Sequence, residues 1–171
     1  EEIDLHATDP LDADSDVDGL TDGEEVQTHS TDPLIDDTDE DGLLDGAEVD
    51  THLTSPLLAD TDSDSLSDYD EVITHETNPN ASDSDTDGIS DSAEILNGTN
   101  PNESDSDGDS LSDSAEATAG TNPNVYDTDV DGLSDGDEVI VHGSDPTDPD
   151  SDDGTVNDGD EVAIGGDPLD P

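Results

Sequence analysis

The chain has 171 residues, of which 25% are hydrophobic and 1% aromatic, and it contains no Cys, Met, Trp or Phe. It carries 54 Asp and Glu and no Lys or Arg, a formal charge of -54. Those figures exclude a conventional hydrophobic core, because ordering the backbone costs roughly 1 to 2 kcal/mol per residue and too little apolar surface exists to offset it. They also exclude disulfides and thiolate metal sites, and they rule out polyanions such as nucleic acid or an anionic membrane surface as direct partners. No apolar run approaches the roughly 20 residues that span a bilayer. Cations are the expected partners, and without them such a chain is expected to be disordered.

The first residues already carry a repeat phrase. Residues 3–11 read IDLHATDPL, and Glu2 stands 23 residues before Glu25, where the last position of a preceding loop would fall. Residues 1–13 are therefore read as a partial repeat, and the chain as a segment of a longer array with no signal peptide before residue 1. Loop 1 follows at 14–25 (DSDVDGLTDGEE), with Asp at positions 1, 3, 5 and 9, Gly at 6, a hydrophobe at 7 and Glu at 12.

This spacing fits a hard divalent cation that takes 6 to 8 oxygen ligands. In a tight coil Asp14, Asp16 and Asp18 converge, Gly19 makes the turn, and the carbonyl of Leu20 is the next ligand. Asp22 binds directly or through water, and Glu25 closes the shell in bidentate fashion from a helical turn. A bidentate Glu and an adaptable shell favour Ca²⁺ over Mg²⁺, which demands octahedral geometry and retains its waters. An all-oxygen set is unsuited to softer metals.

The template recurs along the chain. Loop 2, 37–48 (DTDEDGLLDGAE), offers Asp37, Asp39, Asp41, Leu43, Asp45 and Glu48. Loop 3, 60–71 (DTDSDSLSDYDE), offers Asp60, Asp62, Asp64, Leu66, Asp68 and Glu71. Loop 4, 83–94 (DSDTDGISDSAE), offers Asp83, Asp85, Asp87, Ile89, Asp91 and Glu94. Loop 5, 105–116 (DSDGDSLSDSAE), offers Asp105, Asp107, Asp109, Leu111, Asp113 and Glu116. Loop 6, 127–138 (DTDVDGLSDGDE), offers Asp127, Asp129, Asp131, Leu133, Asp135 and Glu138. Loop 7, 150–161 (DSDDGTVNDGDE), is altered and offers Asp150, Asp152, Val156, Asp158 and Glu161. Successive loops start 23, 23, 23, 22, 22 and 23 residues apart. A solvated acidic tract has no reason to hold Gly, hydrophobe and Glu in such register. Metal binding and folding are expected to be one event. Ser65 and Ser110 replace the Gly at position 6, and loop 7 has Asp153 and Gly154 at positions 4 and 5, so these three sites are expected to be weaker or reshaped.

Between loops, a hydrophobe follows the closing Glu and a Pro turn comes later, as in VQTHSTDPL (26–34) and VITHETNPN (72–80). His6, His29, His52, His75 and His142 stand four residues after the closing Glu, where other repeats have Gly98, Gly120 and Gly165. That exchange predicts a left-handed helix cap at this column. A zinc role is disfavoured, since each repeat offers one His and no soft partner. Hydrophobes at position 7 and at position 13 (Val26, Val49, Val72, Ile95, Ala117, Val139, Val162), with Leu11, Leu34 and Leu57 after the Pro, predict a thin strip packing one repeat on the next. Asn80, Asn97 and Asn102 begin N-x-S/T sequons, close to the number chance would give, so surface glycans depend on the cell that makes the chain. The final residues, DPLDP, stop where another loop would begin, leaving 162–171 as a partial linker.

The unit D-x-D-x-D-G-L-x-D-G-x-E followed by V-x-x-H/G-T-D/N-P resembles the thrombospondin type 3-like calcium repeats of microbial surface and secreted proteins, in a cysteine-free form. The resemblance covers essentially the whole chain. It implies non-enzymatic repeats that wrap their backbone around calcium and serve as stalks, spacers or adhesive regions outside the cell, some relatives holding more than one ion per repeat. The expected fold is an irregular, mostly loop structure with short helical turns, a linear calcium-stapled tandem-repeat array over 1–171 without a conventional core. The expected cofactor is Ca²⁺, about one per loop and at least seven, and the expected partners are calcium, neighbouring repeats or further copies of the chain. Seven such ions would leave a charge of about -40, which suits a saline or calcium-rich exterior more than the cytosol. The leading function is a calcium-rigidified extracellular stalk, spacer or fibre segment. The alternatives are an adhesive, dockerin-like partner-binding module, disfavoured by the short post-loop segment, and an acidic calcium reservoir. No catalytic constellation stands out from the repeat columns.

Overall fold

Carboxylates shape each loop by accepting the loop's own amides. In the computed structural model, which describes residues 8–9 and 11–171, Asp60 at position 1 accepts from the Ser63 N–H at 2.7 Å and the Ser65 N–H at 3.1 Å. Asp127 does the same with Val130 at 2.7 Å and Gly132 at 3.0 Å. Aiming both amides inward requires left-handed backbone at positions 4 and 6. Gly132 has φ 107, and Ser65 and Ser110 keep φ at 89 and 84 despite their side chains. Position 4 is left-handed too, even where it is Val17, Val130 or Thr86. The base of the loop is closed by the position 9 amide, as in Asp45 to the Asp36 carbonyl at 3.1 Å.

A helix then starts at position 9. Position 8 caps it where a hydroxyl or amide is present, as in Ser90, whose side chain accepts from the Ala93 N–H, and Asn157, which accepts from the Asp160 N–H;. Repeats 4, 5 and 7 form α-helices, Asp91–Asn97, Asp113–Ala119 and Asp158–Ile164, that end on Gly98, Gly120 and Gly165 in left-handed conformation. Repeats 1, 2, 3 and 6 instead finish in π-helical turns, Glu25–His29, Glu48–His52, Asp70–His75 and Glu138–His142.

This corrects the expected cap column. His29, His52, His75 and His142 are the last helical residues, and the left-handed cap is the next one: Ser30, Leu53, Glu76 and Gly143. His6 lies outside the described residues. The reason is length: wherever the following loop starts 23 residues on, the helix carries one extra residue, and the wider π-turn absorbs it. The cap amide still reaches the closing Glu carbonyl, from Ser30 to Glu25 and from Gly98 to Glu94. Beyond the cap, Asp32 makes a Pro-containing turn, accepting from Leu34 at 3.2 Å on its side chain and from Ile35 at 2.8 Å on its carbonyl;.

The described residues contain short helices and loops and no strand, as the sequence predicts, and no helix among them is long and apolar enough to cross a membrane. The chain divides into two compact units, Glu1–Ser84 and Asp85–Pro171. Within the first, the Gly46 N–H donates to Asp18 Oδ2 and the Tyr69 N–H to Asp41 Oδ2, each at 2.9 Å. Within the second, the Ser114 N–H donates to Asp87 Oδ2 at 2.8 Å, the Gly136 N–H to Asp109 Oδ2, and the Gly159 N–H to Asp131 Oδ2 at 2.6 Å. Within each unit, the start of a helix thus sits on position 5 of the loop before it.

The interior is made of carboxyl groups. Among the described residues the largest fully buried side chains are Glu and Asp, including Glu25, Glu48, Glu71, Asp45 and Asp135. The apolar contribution is smaller than the sequence predicts. Leu20, Leu43, Leu111 and Leu133 at position 7 are buried, but Leu11, Leu34 and Leu57 are 95%, 51% and 45% exposed, and Val26 and Val139 are each 40% exposed. The Pro ring goes inward instead, as at Pro33, Pro56, Pro101 and Pro146. With Pro fixing the turn, the residue after it points out to solvent.

Candidate metal centres

The carboxylates at positions 1, 3 and 5 come together in each loop of the first unit. Oxygens of Asp14, Asp16 and Asp18 lie within 4.8 Å of one another, as do those of Asp37, Asp39 and Asp41 and of Asp60, Asp62 and Asp64. Asp18 also groups with Glu25 and with Asp45 of the next loop inside the same limit. Loop 4 begins in one unit and ends in the other, and its Asp87, Asp91 and Glu94 belong to the second.

The hydrogen bonds sort the oxygens of each loop. Position 1 turns its oxygens to the amides of positions 4 and 6 in Asp60 and Asp127, whereas Asp37 gives Oδ2 to Gly42 and keeps Oδ1 buried without a partner. Position 3 turns Oδ1 to the position 5 amide, at 3.2 Å from Asp41 to Asp39 and from Asp131 to Asp129. Its Oδ2 is buried with no partner in Asp16, Asp39, Asp62, Asp107, Asp129 and Asp152. The closing Glu behaves alike, with Oε2 buried and without a partner in Glu25, Glu48, Glu71, Glu94, Glu116, Glu138 and Glu161. Leaving one such oxygen unsatisfied costs on the order of 1 to 3 kcal/mol, and more when it is charged. A pair of them, one from position 3 and one from the closing Glu, recurs in loops 1, 2, 3, 5, 6 and 7 and fits a divalent cation between them;.

Burial, and then the position 3 carboxylate facing it, pushes the carboxyl of Glu48 up to about 8 and that of Glu25 up to about 7. Glu71, Glu116 and Glu138 rise to about 8 for the same two reasons in the same order. Asp129 is raised to about 6 by burial and by Asp131. A bound cation opposes both causes.

Two columns of Ser and Thr, to which the loop template assigns no ligand role, support these groups. The Thr or Ser after the helix cap donates its hydroxyl to Oε1 of the closing Glu, at 3.2 Å for Thr31 to Glu25, Thr54 to Glu48, Thr77 to Glu71 and Ser144 to Glu138. Position 2, always Ser or Thr, holds the buried position 9 Asp. Thr38 donates its amide to Asp45 Oδ1 at 2.7 Å and its hydroxyl to Oδ2 at 2.6 Å, and Thr128 does the same to Asp135 at 2.8 and 2.6 Å. Their recurrence, at position 2 in every loop and after the cap in every repeat from loop 1 to loop 6, was the available signal. Position 7 gives its amide to position 5, as in Leu43 to Asp41 Oδ1 at 2.7 Å, and in Leu20, Leu43, Leu111 and Leu133 its side chain to the interior.

Loop 7 is reshaped. Gly154 stands at position 5, and its amide is shared by Asp150 at 2.9 Å and Asp152 at 2.8 Å, while Asp153 takes left-handed φ 59. Gly166 occupies the place of the supporting Thr, and Glu161 is only half-buried.

With this geometry the family assignment is direct. The family model of the bacterial TSP3 repeat matches residues 14–34, 37–52, 60–82, 83–104, 105–125, 127–149 and 156–171, together more than half of the chain. The chain belongs to the bacterial TSP3 repeat family. It is a calcium-binding repeat module of that structural family; six of the matched units begin at the first Asp of loops 1 to 6, and the seventh begins at Val156, inside the altered loop 7. No curated protein matches the chain. Among solved structures it is similar to a "Biofilm associated protein - BSP domain", at 50% identity and TM-score 0.26, over 26% of this chain and 8% of that one. It is also similar to a "Biofilm associated protein - B domain", at 49% identity and TM-score 0.26, over 26% and 11%. The TSP3 chain therefore spans a small fraction of the length of either.

Proposed function

We propose that this TSP3 array is a calcium-rigidified stalk, spacer or fibre segment that works outside the cell, without catalytic activity. The observation that carries the reading is the pair of buried carboxylate oxygens, one from position 3 and one from the closing Glu, turned away from every hydrogen-bond donor in loop after loop. An interior of carboxylates gains its order from cations, and the neighbouring columns of Thr and Ser hold those carboxylates in place. In this reading each of loops 1 to 6 binds Ca²⁺ through positions 1, 3 and 5, the position 7 carbonyl and the closing Glu. Position 9 takes part directly or through water, and loop 7 binds with a reduced set. At least seven ions result. The free charge and the calcium demand suit a calcium-rich exterior; in this reading neighbouring repeats or further copies extend the chain there, and Asn80, Asn97 and Asn102 are the positions open to glycans.

The test is a calcium titration followed by circular dichroism and small-angle scattering, with reversal by EDTA. Helicity should rise and the radius should settle to a fixed value as calcium is added, and both should return on chelation. A chain whose dimensions and spectrum ignore chelation overturns the proposal. A reservoir would take up the same ions without reaching one defined shape.

A further inference from the structure

We infer that the position 5 Asp couples neighbouring metal sites, because one carboxyl serves its own loop and the helix of the next repeat at once. This rests on the calcium reading above. In Asp131, Oδ1 accepts from the Leu133 N–H of its own loop at 2.8 Å while Oδ2 accepts from the Gly159 N–H of the next repeat at 2.6 Å. Asp18 divides itself the same way between Leu20 and Gly46, Asp41 between Leu43 and Tyr69, and Asp109 between Leu111 and Gly136. Asp18 and Asp109 are themselves buried. The amide received is always that of position 10, one residue after the position 9 Asp and two before the closing Glu. Ordering one loop therefore docks the turn that carries two acidic groups of the next.

The junction is close-packed against backbone. A Cβ on Gly46 would meet the Asp18 carbonyl oxygen at 2.5 Å, a Cβ on Gly159 would meet that of Asp131 at 2.5 Å, and one on Gly136 would overlap that of Asp109. Where position 10 is Ser114, the side chain is accommodated by donating its hydroxyl to the Asp87 carbonyl at 2.7 Å. Filling either of two adjoining sites therefore favours the other by the same factor, as linkage requires. Loop 7 has Gly154 in place of the Asp, so it is coupled only to the loop before it.

The test separates coupling from binding. Gly136→Ala removes no proposed ligand but wedges the junction between loops 5 and 6. Calcium is titrated into the full chain and the amide resonances of Gly19, Gly42, Gly108 and Gly132 are followed as reporters of loops 1, 2, 5 and 6. The variant should move the midpoints of Gly108 and Gly132 to higher calcium by about 5-fold or more, while Gly19 and Gly42 keep theirs. Unchanged midpoints at loops 5 and 6, or an equal shift at all four loops, overturn the coupling. Glycine resonances that ignore calcium altogether sink the calcium reading instead. Should Gly136→Ala fail to fold, hydrogen exchange of the wild-type chain decides. Calcium must protect the Gly136 amide, and free exchange of that amide in saturating calcium overturns the proposal.

Discussion

At the scale of single residues, the groups that support the carboxylates matter as much as the carboxylates. Thr54 sits buried with its hydroxyl 3.2 Å from Glu48 Oε1, so Thr54→Val keeps the shape and removes the donor. We predict a loss of about 1 kcal/mol and weaker calcium binding at loop 2, measured by chelator competition; an unchanged affinity would show that the hydroxyl is idle. Val130 is a β-branched residue at φ 65 and 80% exposed. Left-handed backbone costs an L-residue roughly 1 to 2 kcal/mol, part of which glycine returns as chain entropy. Val130→Gly is therefore predicted to raise stability by up to about 1 kcal/mol, read as a higher thermal midpoint at fixed calcium. The loop carboxylates were legible because the sequence spells them in register. The left-handed position 4 was not, since Val, Glu, Ser, Thr, Gly and Asp all occupy it and no residue type announces it.

At the scale of the helix, the sequence predicted the right element and misplaced its end by one residue. The positions of Gly98 and Gly120 suggest a fixed cap column, and the His residues fall in it by count from the closing Glu. The structure keeps the spatial place of the cap constant and lets the count of residues vary. Deleting Val141 tests this, because repeat 6 would then read E-V-I-H-G-S-D-P beside E-I-L-N-G-T-N-P of repeat 4. The shortened repeat is predicted to form a plain α-turn ending on Gly143, with Ser144 still donating to Glu138 and no change in the number of ions bound. Isothermal titration would report the stoichiometry, and a lost ion would refute the idea. The post-Pro leucines were misread for a related reason: periodic apolar residues suggest packing, yet here the Pro ring itself fills the inner position.

For the molecule as a whole, protons and calcium compete for the same oxygens. Glu48, Glu71, Glu116 and Glu138 are raised from 4.5 to about 8 in the fold by burial and by a facing Asp. Folding without calcium therefore takes up protons: this contribution is fully present below about 4.5 and is lost as pH rises through about 8. In EDTA the chain is predicted to gain helicity when pH falls from 8 to 5, followed by circular dichroism at 222 nm. With calcium present the dependence reverses, and affinity should fall with pH as protons occupy the closing Glu. An EDTA-treated chain with the same spectrum at both values would contradict the first half. The absence of a conventional core was legible from composition alone, whereas the allocation of each carboxylate oxygen was not, because composition is blind to which amide an oxygen faces. The π-turn, finally, has a meaning for how such genes change. A coding insertion or loss of one codon between loops need not throw later loops out of phase, so unequal copies can recombine, and an array can lengthen or shorten over generations without first being made uniform.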